Sequence, residues 1–63
     1  MPGTVILEQR RPVQVLQDGR WVDGWLEAQR KVEGVWSGYV RYSSAPAETF
    51  LGWFEEQRIR SAA

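Results

Sequence analysis

The sequence predicts an all-β domain: about five antiparallel strands, with a short 3₁₀ turn before the last of them. Three observations carry this. Asp18-Gly19, a tight-turn dipeptide, is flanked on both sides by alternating apolar and polar residues. Short runs rich in Val, Trp, Tyr and Phe are separated by Gly, Ser and Pro. No stretch shows apolar residues at helical spacing for long enough to make a useful helix.

The elements follow in order. Residues 1–10 form an N-terminal arm or an extra strand, residues 11–60 the barrel, and residues 61–63 a tail. Pro12-Val13-Gln14-Val15-Leu16-Gln17 is the first barrel strand, and Arg20-Trp21-Val22-Asp23-Gly24-Trp25-Leu26-Glu27-Ala28 begins the second. Asp and Gly both tolerate positive φ, so the pair between them suits a two-residue type I′ turn. That loop length fixes the register: Gln17 faces Arg20, Leu16 faces Trp21, Val15 faces Val22, Gln14 faces Asp23 and Val13 faces Gly24. A second break falls at Glu33-Gly34, and Val35-Trp36-Ser37-Gly38-Tyr39-Val40-Arg41-Tyr42 reads as the third strand. Residues 43–48 form a loop. Thr49-Phe50-Leu51-Gly52-Trp53-Phe54 is the fourth strand, Glu55-Glu56-Gln57 a 3₁₀ turn, and Arg58-Ile59-Arg60 a brief fifth strand whose Ile plugs the core.

Charge decides which face is inside. One face from Arg20 onward carries Val22, Gly24, Leu26, Ala28, Arg30, Trp36, Gly38, Val40, Tyr42, Phe50, Gly52 and Phe54, with Arg30 as its only charge. The other carries Trp21, Asp23, Trp25, Glu27, Gln29, Lys31, Ser37, Tyr39, Arg41, Leu51 and Trp53. Burying unpaired charges costs several kcal/mol each, so the first face is the core. Trp36 is then expected inside, and Trp21, Trp25 and Trp53 outside.

Composition bounds the function. A chain of 63 residues makes one domain with a marginal core. It has no Cys and no His, so disulfides are excluded and no metal site or cofactor is expected. Eight basic residues balance eight acidic ones, a poor prior for nucleic-acid binding. The apolar run Val5-Ile6-Leu7 is too short for a signal sequence or a membrane span, so a soluble, cytoplasmic chain is expected, with no membrane partner. Catalysis is not expected either. Glu55 and Glu56 are adjacent and point apart in an extended chain, and Ser43-Ser44 has no base nearby.

Two segments resemble SH3-like small barrels. Asp18-Gly19-Arg20-Trp21-Val22-Asp23-Gly24-Trp25-Leu26 is similar to a hairpin shared by SH3 and Tudor-type domains. Gly52-Trp53-Phe54-Glu55-Glu56-Gln57-Arg58-Ile59 resembles the SH3 ending. The resemblance covers roughly residues 11–60, with strand lengths closer to a Tudor or agenet outline. It implies a small SH3-like barrel and a ligand surface that departs from both families. Trp21 matches the groove Trp of SH3 domains, but Glu55 and Arg58 stand where the Pro and Tyr of that groove would be. Of the Tudor aromatic cage only Tyr42 is matched; Val15, Val22 and Ala45 occupy the other places.

The outer face supplies the candidate site. A three-residue loop of Glu33-Gly34-Val35 would set Glu27 opposite Arg41 and Gln29 opposite Tyr39. A loop over residues 43–49 would set Tyr39 opposite Trp53 and Arg41 opposite Leu51. Other registers would move these pairs by two places and keep the face. The result is an apolar strip of Leu16, Trp21, Trp25, Tyr39, Leu51 and Trp53, edged by Asp23, Glu27 and Arg41. Such a patch usually has an occupant. Three compete: the chain's own Thr4-Val5-Ile6-Leu7, a second copy of the chain, or a different protein, as an extended peptide with Arg or Lys. The expected role is therefore a non-catalytic protein-interaction module. A nucleic-acid-binding small barrel is the alternative, disfavoured by Asp23 and Glu27 among the indoles.

Overall fold

The structure is a computed structural model that describes residues 3–62, Ser44 through its backbone only. Met1 and Pro2 of the N-terminal arm and Ala63 of the tail lie outside the described residues. The chain is all-β: β1 (Thr4–Gln17), β2 (Arg20–Val32), β3 (Val35–Ala45), β4 (Glu48–Glu55), a 3₁₀ turn (Glu56–Arg58) and β5 (Ile59–Ser61). All pairings are antiparallel, in one sheet of order β4-β3-β2-β1-β5.

The first hairpin has the register its turn dictates, from Gln17 opposite Arg20 to Val13 opposite Gly24. Asp18 and Gly19 adopt φ of 52° and 74°, the left-handed pair a type I′ turn requires. Valine at position 19 would force a β-branched side chain into that region. Gly19→Val is expected to lower stability by about 1 kcal/mol or more, read as a fall in the thermal midpoint. An unchanged midpoint would mean that the loop carries no such constraint.

The sheet curls around its core. Val13 and Val15 of β1 pack in one cluster with Leu26, Val40 and Phe54 of β2, β3 and β4. In a flat sheet β1 and β4 would stand about 14 Å apart, three strand spacings. The Ile59 side chain of β5 packs against the cluster, as the plug expected from the sequence. Its Cδ1 would lie 2.7 Å from a Cβ placed on Gly38 of β3, which is how closely the curl brings these strands together.

The β2–β3 hairpin departs from expectation in two ways. Its loop has two residues, not three: Val32 faces Val35, and Glu33 and Gly34 take φ of 52° and 81°. A bulge at Glu27 then shifts the register by one place, so that Leu26 faces Val40 but Ala28 faces Tyr39. A one-residue shift moves every later side chain to the opposite face. Arg30, expected on the core face, therefore lies on the outer face with Tyr39 and Trp53, and its guanidinium carbon sits 3.9 Å from the Trp53 ring centroid. Gln29 and Lys31 move the other way, and Lys31 faces Trp36. Ala28 is buried but belongs to no part of the core cluster.

Trp36 is the main correction to the core. It is 39% exposed. It keeps the face of Gly38 and Val40, but the β2 residues on that face are now polar and it lies near the hairpin tip. It lines a shallow cleft with Leu26, Gln29, Gly38, Glu56 and Ile59, and the Lys31 ammonium lies 5.9 Å from its ring centroid. Phe50 is also exposed, at the sheet edge, where it stacks on Tyr42 with ring centroids 5.6 Å apart.

Residues 4–7 of the N-terminal arm do not fold back over the aromatic strip. Residues 4–6 extend the sheet by pairing with Arg30, Gln29 and Ala28, and the register slips between Ile6 and Arg11. Val5 and Ile6 remain exposed, and only Leu7 packs on the core.

Candidate functional site

Strand alternation and the observed registers set the outer face row by row. Trp21, Asp23 and Trp25 alternate along β2, so all three point outward. Trp21 faces Leu16 of β1. Asp23 faces Gln14, which faces Arg60 of β5. Trp25 faces Arg41 of β3, which faces Leu51 of β4. Tyr39 faces Trp53, the pairing expected from the sequence, with ring centroids 5.0 Å apart. Glu27 at the bulge has no facing residue in β3, so the expected Glu27–Arg41 register is replaced by Trp25–Arg41. The two charges meet nevertheless: Arg41 Nε donates to Glu27 Oε2 at 3.0 Å.

All eight residues read from the sequence as a contact surface thus lie on one face: Trp21, Asp23, Trp25, Glu27, Tyr39, Arg41, Leu51 and Trp53. They do not form one uninterrupted apolar strip. Asp23 separates Trp21 from Trp25. The apolar centre is Trp25, Tyr39, Leu51 and Trp53, in which Trp25, Leu51 and Trp53 are 45%, 47% and 36% exposed.

The structure adds cations that sequence reasoning did not place here. Arg10 lies 5.4 Å from the Trp25 ring centroid, Arg30 3.9 Å from Trp53, and Arg60 4.2 Å from Trp21. Each outward indole therefore carries a guanidinium of its own chain on one face. The carboxylates are engaged as well. Gln14 Nε2 donates to Asp23 Oδ1 at 2.9 Å, and Arg60 Nε donates to Gln14 Oε1 at 2.7 Å. Glu27 lies between Arg41 and Arg10, the latter at 3.7 Å. Arg30 Nε is buried without a hydrogen-bond partner and relies on the Trp53 ring. Arg60 was legible as an outward neighbour of the inward Ile59. Arg30 was not, because its face depends on the bulge. Arg10 was not, because the register slips beside it.

A cleft of about 400 Å³ opens beside this face, lined by Pro12, Gly24, Trp25, Arg41, Tyr42 and Thr49 among others. Among the described residues no group of three or more Asp and Glu could hold a metal ion, and no helix is long and apolar enough to cross a membrane. No protein-family model, curated protein or solved structure matches the chain.

Proposed function

We propose that this chain is a non-catalytic protein-interaction module that meets its partner through the outer face of β2, β3 and β4. The partner is a second copy of the chain or a peptide of another protein. The observation that carries this reading is the adjacency, across three strands, of Trp25, Tyr39, Leu51 and Trp53, all outside the core. Aromatic side chains centred on a polar rim are the usual anchors of protein interfaces. The sheet order and the 3₁₀ turn ahead of β5 support the reading of the fold as a small SH3-like barrel. The engaged state of Asp23 and Glu27 argues against simple capture of a lone cation by the indoles.

Solution mass across a concentration series tests the self-association form, and Trp25→Ala tests the surface. The substitution is expected to weaken association by about 2 kcal/mol, roughly thirtyfold in Kd, with the thermal midpoint nearly unchanged. A large fall in the midpoint would make Trp25 a structural residue and overturn the reading.

The guanidiniums over the indoles favour one second reading, single-stranded nucleic acid, since stacking faces and positive charge lie together. Titration with oligothymidine separates the two. Tryptophan quenching that weakens steeply with salt supports nucleic acid, and its absence removes that reading.

A further inference from the structure

β4 ends the sheet, with β3 as its one partner strand. From Phe50 to Glu55 its pairing with β3 is regular and free of bulges. Six regular residues present an edge about 20 Å long. The other sheet edges are short: β5 has three residues, and the paired arm of β1 covers residues 4–6 before its register slips. Natural proteins guard long edges with Lys, Pro, bulges or a covering segment. The sequence Glu48-Thr49-Phe50-Leu51-Gly52-Trp53-Phe54-Glu55 contains no Lys and no Pro. Phe50, Leu51 and Trp53 along it are all exposed.

The charged residues along the segment 48–56 itself all have one sign. Glu48 stands at one end, Glu55 and Glu56 at the other, with no cation between. Among the described residues none of the three is in an ion pair. The cations nearest in sequence or register are already engaged. Arg58 donates to the Leu16 carbonyl oxygen at 2.6 Å with its guanidinium carbon 5.4 Å from the Phe54 ring centroid, and Arg30 stacks on Trp53 from two strands away. A second copy of the chain is a poor occupant. Antiparallel pairing of β4 with itself about a two-fold axis would bring Glu48 of each copy to the end that holds the partner's Glu55 and the partner's Glu56. Like charges placed across from one another destabilise a ladder. A strand with basic ends meets the opposite situation.

We propose that the free edge of β4 over residues 50–55 takes up an extended peptide as an added strand, apolar at its centre and carrying Lys or Arg near both ends. Backbone hydrogen bonds supply affinity, and Glu48, Glu55 and Glu56 select the charge. The proposal rests on the reading of the outer face as a partner surface, because alternate side chains of the added strand would lie beside Leu51 and Trp53.

The test uses a capped nonapeptide of alternating valine and threonine with two lysines at each end, and its counterpart with glutamates in place of the lysines. The lysine peptide is expected to shift the amide resonances of residues 49–55 and slow their exchange, with an affinity that falls as salt rises. E48K, E55K and E56K combined should weaken it roughly tenfold or more and transfer the preference to the glutamate peptide. A lysine peptide methylated on alternate backbone nitrogens should lose binding. Shifts confined to Trp21, Trp25 and Tyr39 would overturn strand addition and leave the outer-face reading intact. No binding of either peptide would overturn strand addition too, while the outer-face reading stands or falls separately on the Trp25→Ala measurement.

Discussion

Val40→Asp is expected to unfold the domain at room temperature, while Trp21→Ser leaves it folded. Val40 is fully buried at the centre of the cluster formed with Val13, Val15, Leu26 and Phe54. An aspartate there loses the burial of a valine, about 1.5–3 kcal/mol. It also places a carboxylate among apolar side chains, where it must shed its hydration or take up a proton at further cost. A domain of this size has a net stability at the low end of the usual range, about 5 kcal/mol, so the combined loss exceeds what it has. Trp21 lies on the opposite face, partly buried, against Arg60. Serine there gives up one cation–π contact and part of an indole's burial, and Leu16 keeps a facing neighbour. Amide dispersion in a proton–nitrogen spectrum reports the result directly. Dispersion kept in Val40→Asp and lost in Trp21→Ser would mean that core and surface are the reverse of those described.

That contrast rests on charge placement, which is why it was legible in the sequence. Val13, Val15, Leu26, Val40 and Phe54 fall on a face almost free of charge, and burial follows. The first register was legible because Asp18-Gly19 permits one tight turn and a two-residue loop leaves no freedom. The pairing of Tyr39 with Trp53 came out as expected although the connection did not: β3 runs on to Ala45 and β4 begins at Glu48, and a register irregularity between Tyr42 and Ala45 offsets the tighter loop. The second hairpin was not. Its turn puts a glutamate, Glu33, in the left-handed region, which residue preference does not announce. The bulge at Glu27 has no composition signal either. An uncounted residue in a long strand shifts the register by one, and parity arguments then assign Arg30 and Trp36 to the wrong surroundings. The site was affected in proportion. Its aromatic residues sit on well-registered segments and were placed correctly, whereas two of the guanidiniums over them come from beyond the irregularities.

Gly24→Ala is expected to destabilise the domain by about 3 kcal/mol or more, although alanine in a strand is ordinarily better than glycine by about 0.5–1 kcal/mol. A Cβ at position 24 would lie 2.7 Å from the Arg41 carbonyl oxygen, 2.9 Å from Val40 Cγ1 and 3.1 Å from Tyr42 Cβ. The first of these is backbone, held in the β2–β3 ladder by the facing of Gly24 with Tyr42 and of Trp25 with Arg41. It cannot withdraw without opening the sheet where the curl is tight. Gly38 differs, since its added Cβ would meet the side-chain ends Leu26 Cδ1 at 2.6 Å and Ile59 Cδ1 at 2.7 Å. Those ends can rotate, at the cost of some core packing, so Gly38→Ala should lose about 1–2 kcal/mol. Gly52 differs again: its Cβ would stand 3.6 Å from Phe54 Cε1, an ordinary contact, so Gly52→Ala should be neutral within about 0.5 kcal/mol. Denaturant midpoints of the three variants should therefore rank Gly52→Ala above Gly38→Ala above Gly24→Ala, and equal midpoints for the first and last would refute the close approach at Gly24. The same geometry ties the fold to the proposed contact surface. Gly24 stands between Asp23 and Trp25, and its close approach to β3 seats Trp25 beside Arg41 and Leu51. A variant that stays folded by parting β2 from β3 should lose partner binding with Trp25 itself unaltered.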